Sequence, residues 1–350
     1  MRPQRLIPLA VAASLISSAS AAQGVHVFQV DAPSSPFTFS GSYELPPNPL
    51  VTVDPVPDPN FTPSGTLRAE LTTSGGGVTT GQFVPGGRLL FPDLEATTPA
   101  AFLGFPDVTI EFVGFEVEVT SVNSAGTSPE DFSVDALGNF STTVVGEVVS
   151  GMVNITVVGT AFFDFSGNTS EPADITGTIV PTADGFALDT DADFRFFDGA
   201  AGASATLDFG GALVADWKPL NTDVSSISIG AGGTQSMILS TGGVQAGDLY
   251  IVLGSAAGTS PGTPLGSVVV PLNIDTVTTL TVNSANQAPF VDTLGSLDAD
   301  GIASAAIDVA AGVLDPALAG LNLDFAYVVV DVVTGSIDFA SNAEPLTLVL

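Results

Sequence analysis

A chain of 350 residues with six Lys and Arg against 37 Asp and Glu carries a formal net charge of −31, and it contains no Cys and one His. A surface this negative repels phosphate backbones and anionic headgroups, which excludes nucleic acid as a direct partner. The missing Cys and the single imidazole exclude disulfides, thiol nucleophiles and zinc centres built from several His or Cys. Mean hydropathy is +0.46, too apolar for wholesale disorder. Val, Thr, Ile and Phe recurring between Gly and Pro breaks are strand vocabulary, so the expected class is all-β: two antiparallel domains without helical layers.

Residues 1–21 read as a secretory signal. Arg2 and Arg5 precede an apolar run from Leu6 to Ile16, and Ala19-Ser20-Ala21 supplies a small-x-small cleavage site. The run is shorter than the ~20 residues that cross a bilayer, so no transmembrane segment is expected in the mature chain. The expected location is outside the cell or at its surface, with the periplasm as the other exported compartment.

Residues 22–216 are expected to form a first β-domain, a twisted sandwich or a barrel. A strand at Val25–Val30 leads into Asp31 to Pro63, read as a long loop whose segment 46–63 is rich in proline. Further on, Val108, Ile110 and Phe112 hold even positions while Phe115, Val117 and Val119 hold odd ones. The phase slips at Val113-Gly114, which predicts a bulge or bend there. Val149 to Phe165 reads as one long ribbon kinked at Gly151 and Gly159. Pro181-Thr182-Ala183-Asp184-Gly185 predicts a hairpin turn with Gly185 at positive φ, feeding a strand at Phe186–Phe197 and then one at Ala205–Phe209.

Trp217 to Thr222 is expected as a linker, with residues 223–350 forming an Ig-like β-sandwich. Its candidate strands are 226–229, 236–239, 249–253, 267–270, 276–282, 303–309, 325–333, 336–339 and 346–349, most of them bounded by Gly, Pro, Asn or Ser. Within this region, Gly230-Ala231-Gly232-Gly233-Thr234-Gln235, Ala246 to Ser255, Gly258-Thr259-Ser260-Pro261-Gly262 and Leu294 to Gly301 form a characteristic wording. It resembles a β-domain found at the C-terminus of secreted proteins of planctomycete-type bacteria. The resemblance implies an extracellular module appended to others and implies no activity. The distinctive function would then lie upstream.

Candidate chemistry is sparse. His26 lies in the first expected strand, where a strand-edge imidazole is the plain reading and a Ser-His-Asp triad the demanding one. Asp189, Asp191 and Asp193 alternate on one strand and share a face, about 6.5 to 7 Å apart. They read as a solvated face, with calcium as the other use. Asp298-Ala299-Asp300-Gly301 spells a tight turn and also the start of a calcium loop, though the later Glu is missing. These five aspartates are the metal candidates, and calcium is the only cofactor in question.

No Gly-rich phosphate loop with its Lys occurs, since Lys218 is the only lysine. With 37 acids, some pair always suits glycoside hydrolysis, which singles out none. The sequence therefore points to a secreted, acidic, non-catalytic β-protein with a structural or adhesive role at the cell surface or in the matrix. Its partner would be neutral or cationic, protein or polysaccharide. The alternatives are a calcium-assisted carbohydrate-binding module and a carboxylate-dependent glycan hydrolase.

Overall fold

The computed structural model describes residues 22–44, 51–53, 60–74, 76–98, 108–156, 160–200, 203–243, 245–266 and 268–350. The expected signal 1–21, the prolines from Pro46 to Pro59, and Gly159 lie outside those residues. The described chain is all-β, with 27 strands, one α-helix and two short 3-10 turns.

The first 15-stranded sheet closes on itself through its opening strand. Ala22–Val30 pairs along most of its length with Ser64–Ser74, from Ala22 opposite Thr73 to Gln29 opposite Thr66. Its end also pairs with Ala203–Trp217, Gln29 opposite Asp216 and Val30 opposite Ala215. Between those two neighbours the sheet runs through Leu89–Leu90, Val108–Val122, Asn139–Thr156, Ala173–Pro181 and Phe186–Ala200. One strand thus joins both ends of the path and leaves a barrel-like wall. Period-two alternation then dictates its two faces: Phe186, Leu188, Ala192, Phe194 and Phe196 point inward, and Asp189, Asp191, Asp193, Arg195 and Phe197 point out.

The inside is packed with phenylalanine. The ring of Phe209 lies 5.1 to 6.4 Å from those of Phe39, Phe61, Phe91, Phe112, Phe115 and Phe196. Each such side chain contributes roughly 1.5 to 3 kcal/mol on burial, and that term holds the sheet together in a chain without disulfides.

Several expectations change here. The supposed loop after Asp31 contains strands Phe37–Glu44 and Asn60–Phe61, because Phe37 and Phe39 alternate with Thr38 and Ser40 and fill the core. The ribbon 149–165 is a hairpin arm. Asn139–Thr156 is the long strand, and Thr160–Asp164 folds back on it with Val153 opposite Phe163. The bulge at Gly114 is present, with φ +64°: Gly114 and Phe115 together oppose Gly151. A second bulge at Val149, between Val148 and Ser150, offsets it on the partner strand. The turn after Pro181 forms, with Thr182 N–H donating to the Gly185 carbonyl at 2.9 Å. Gly185 is needed there for closeness rather than for positive φ, since a Cβ would sit 1.9 Å from the Trp217 carbonyl oxygen.

Beyond Trp217 two sheets face each other. Leu220–Thr222, Gly233–Ser240, Ile302–Val309 and Phe290–Val291 form one, and a six-stranded sheet centred on Glu344–Val349, Asn322–Val330 and Leu249–Ser255 forms the other. Leu239, Ile307, Tyr327 and Leu346 lie in the core between them. The stretch expected as a linker is largely structured: Leu220 is fully buried and pairs with Leu239. One pairing departs from the antiparallel expectation, since Ser226–Ser228 runs parallel to Glu344–Val349.

The expected strand 276–282 is the helix Thr276–Asn283. Asp275 accepts hydrogen bonds from the N–H groups of Val277 and Thr278, at 2.8 and 3.0 Å, while Thr278 Oγ1 accepts from the Asp275 N–H. This reciprocal cap overrides the strand preference of Thr and Val. Thr278 and Thr281 then bond the backbone of Gly254. The face of the six-stranded sheet turned away from the other sheet is also covered, by Val270 and Leu272, so Phe325 to Val329 are buried on both faces. That is why this stretch reads as an unbroken apolar run. Its strand ends at Val330, and Val332 and Val333 sit exposed in the turn that follows.

Candidate functional site

The outer face of the closed sheet carries a groove of about 490 Å³ over Phe186–Ala200, Ala203–Trp217 and Phe37–Glu44. Strand register builds it. Asp193 lies opposite Gly210, which lies opposite Thr38; one row along, Arg195 lies opposite Asp208, which lies opposite Ser40. Glu171, Pro172 and Ala173 add a wall, held by the Glu171 N–H donating to the Arg195 carbonyl at 2.9 Å. Gly210 makes the notch, since a Cβ on it would meet Asp193 Oδ1 at 2.0 Å.

Three carboxylates, from Glu171, Asp193 and Asp208, thus line the groove along with one guanidinium, which Asp208 and Glu171 approach. Arg195 Nε donates to Asp208 Oδ1 at 2.6 Å. That hydrogen bond first, then the charges of Asp208 and Glu171, hold the guanidinium above its usual pKa. Thr38 and Ser40 add hydroxyls on the far side. The arrangement can accept hydrogen bonds from ammonium, guanidinium or sugar hydroxyl groups and can donate from Arg195. Phe194 and Phe209 form its floor from below, and the strands beneath make it rigid.

The metal candidates are dispersed. Asp189, Asp191 and Asp193 are exposed along the outer face as their alternation predicts, and only Asp193 reaches the groove. Asp298 and Asp300 are occupied by their own surroundings. Asp298 Oδ1 accepts from the N–H groups of Asp300 and Ile302 at 2.9 and 2.8 Å, and Gly301 takes φ +73° to close the turn. Asp300 forms an ion pair with Arg68. Among the described residues no three acidic or imidazole groups converge where an ion would sit.

His26 is 5% exposed and faces the sandwich. Its Nδ1 lies 2.8 Å from the Gly24 carbonyl oxygen, and its ring stands edge-on to Trp217 with centroids 4.4 Å apart. Trp217 Nε1 donates to Ser240 Oγ at 3.1 Å. The imidazole is therefore a packing element between the closed sheet and the sandwich, and among the described residues neither a serine nor a carboxylate is bonded to it.

Sequence reasoning did not find Thr38, Ser40, Glu171, Asp208 or Gly210. Asp208 had a signal, as the outward residue of an expected strand. The others depend on pairings between distant segments.

No family model and no curated protein matches the chain. Among solved structures, the N-terminal domain of the Streptococcus gordonii adhesin Sgo0707 aligns over 93% of this chain and 94% of that chain, at 9% identity and a TM-score of 0.17. A likeness at that score carries no argument about this fold or its function. No helix among the described residues is long and apolar enough to cross a membrane.

Proposed function

We propose that the protein is an exported, acidic, non-catalytic scaffold of the cell surface or extracellular matrix, which adheres to a partner presenting cationic or hydroxyl groups. The observation that carries this reading is the groove at Asp193, Arg195, Asp208 and Glu171, an acid-rich recess with one fixed guanidinium on a rigid sheet. The signal-like residues 1–21 and the resemblance of residues 223–350 to an extracellular bacterial module support the export part. A net charge of −31 supports electrostatic steering toward cations.

The test is calorimetry of the purified chain against two probes, oligolysine and a panel of neutral oligosaccharides, repeated with the Asp193→Asn/Asp208→Asn double variant. Saturable binding to either probe that the double variant weakens tenfold or more supports the groove. Binding unaffected by the double variant, or heat with neither probe, overturns it.

A further inference from the structure

We propose that His26 is an acid-sensitive clasp that holds the closed sheet against the C-terminal sandwich and releases it when the ring takes up a second proton. The ring sits on the first strand where the two cores meet. Trp217 and Phe186 stand edge-on to it, with centroids at 4.4 and 5.9 Å. On the sandwich side, Gly242 comes so close that a Cβ there would lie 2.9 Å from His26 Nε2.

The Gly24 carbonyl only accepts, so Nδ1 carries the proton of the neutral ring and Nε2 is bare. A second proton must therefore go onto Nε2, toward Gly242 and in the company of two aromatic rings. A charge placed there loses its water and gains no counterion.

The charged neighbours are committed elsewhere or remain in solvent. On Ser64–Ser74, Ala69 is the register partner of His26, flanked by Arg68 and Glu70. Arg68 pairs with Asp300 of the sandwich, and Glu70 accepts from Gln23. Beside Trp217, Asp216 is exposed and Lys218 pairs with Glu344. Asp184, in the turn before Phe186, is also exposed. The sandwich strand Gly233–Ser240 and the turn after it bring no charge to the ring. Consistently, burial lowers the His26 pKa from 6.5 to about 4, with the Gly24 hydrogen bond opposing.

The sign follows from linkage. The closed form disfavours the charged ring, so the open form binds the proton more readily between pH 6.5 and about 4. The clasp is at full strength above pH 6.5 and weakens as pH falls. The open-to-closed ratio should rise by on the order of 100-fold across that window.

Trp217, the only tryptophan, is 9% exposed and reports on the joint directly. The experiment follows its emission and the far-ultraviolet circular dichroism of the full chain from pH 7.5 to 4, for the natural sequence and for His26→Gln and His26→Phe. The expected result is a red shift of Trp217 emission with a midpoint between pH 4 and 6.5, strand dichroism retained, and that midpoint absent from whichever variant keeps the strand spectrum at pH 7.5. Emission that does not move, a shift shared by the variants, or simultaneous loss of strand dichroism overturns the proposal. If neither variant keeps the strand spectrum, the midpoint of the natural chain decides: ring resonances of His26 that titrate at the same pH support the clasp, and titration elsewhere overturns it.

Discussion

The backbones of Gly24 and Gly242 are in contact across the two cores: a methyl group on Gly24 would lie 1.3 Å from the carbonyl oxygen of Gly242. Backbone atoms on both sides leave no side chain to swing away. Gly24→Ala is therefore expected to cost about 1 to 3 kcal/mol, as overpacking does, and to lower the melting temperature by several degrees. Gly77→Ala is the control, because nothing lies within 4 Å of its Cβ position. Melting followed by Trp217 emission checks both, and equal melting temperatures would show that the contact is not made in solution.

Gly210 gives the opposite outcome. The nearest atom to an added Cβ is Asp193 Oδ1 at 2.0 Å, the end of an exposed side chain that can rotate aside. Gly210→Ala should therefore leave the melting temperature within a degree or two, since Ala recovers about 0.5 to 1 kcal/mol of strand preference. Yet its methyl group fills the notch between Asp193 and Thr38. Affinity for a groove ligand is expected to fall about tenfold, near 1.4 kcal/mol. Calorimetry beside a thermal melt separates the two effects, and lost binding with lost stability would contradict this placement of Gly210.

Much of this fold was legible because side-chain parity is a local property. Phe194 and Phe196 inward, Asp193 and Arg195 outward, and the slip at Gly114 all follow from counting along one strand. The bulge at Val149 stayed hidden because Val148 and Val149 are both apolar, so the slip leaves no mark. Thr38 and Ser40 were absorbed into a proline-rich stretch, and their register opposite Gly210 and Asp208 spans more than 160 positions of sequence. The helix had a readable signal in Asp275-x-x-Thr278, which strand-forming Thr and Val outweighed. Half of the groove is therefore a tertiary fact with no local signature.

Calcium is expected to bind no specific site at Asp298 or Asp300. Asp298 Oδ1 is already taken by two backbone N–H groups and Asp300 by Arg68, so chelation would have to break both arrangements. Thermal melts at constant ionic strength with calcium, magnesium or EDTA should coincide within a degree, because a ligand that binds only the folded chain raises its melting temperature. A saturable rise specific to calcium would restore the metal reading.

Asp275 sets a second pH dependence, separate from that of His26. Burial pushes its pKa up, but the N–H groups of Thr278, Ala256 and Val277 together with the Thr278 hydroxyl outweigh that and hold it below the usual carboxylate value. A carboxylate depressed in the folded state stabilises it above the unfolded pKa, about 4, and loses that contribution as pH falls through the folded value. Asn caps helices about as well as Asp but does not titrate. With its one oxygen on the cap, Asp275→Asn turns an NH2 toward the Ala256 N–H, so it should cost about 1 to 3 kcal/mol at pH 7 but lose less stability on acidification below pH 4. Asp275→Ala should cost about 1 kcal/mol or more at pH 7, since it also frees the Ala256 N–H. Denaturant titrations at pH 7 and pH 3 measure all three chains, and parallel acid losses in the natural chain and Asp275→Asn would remove the cap as the titrating group.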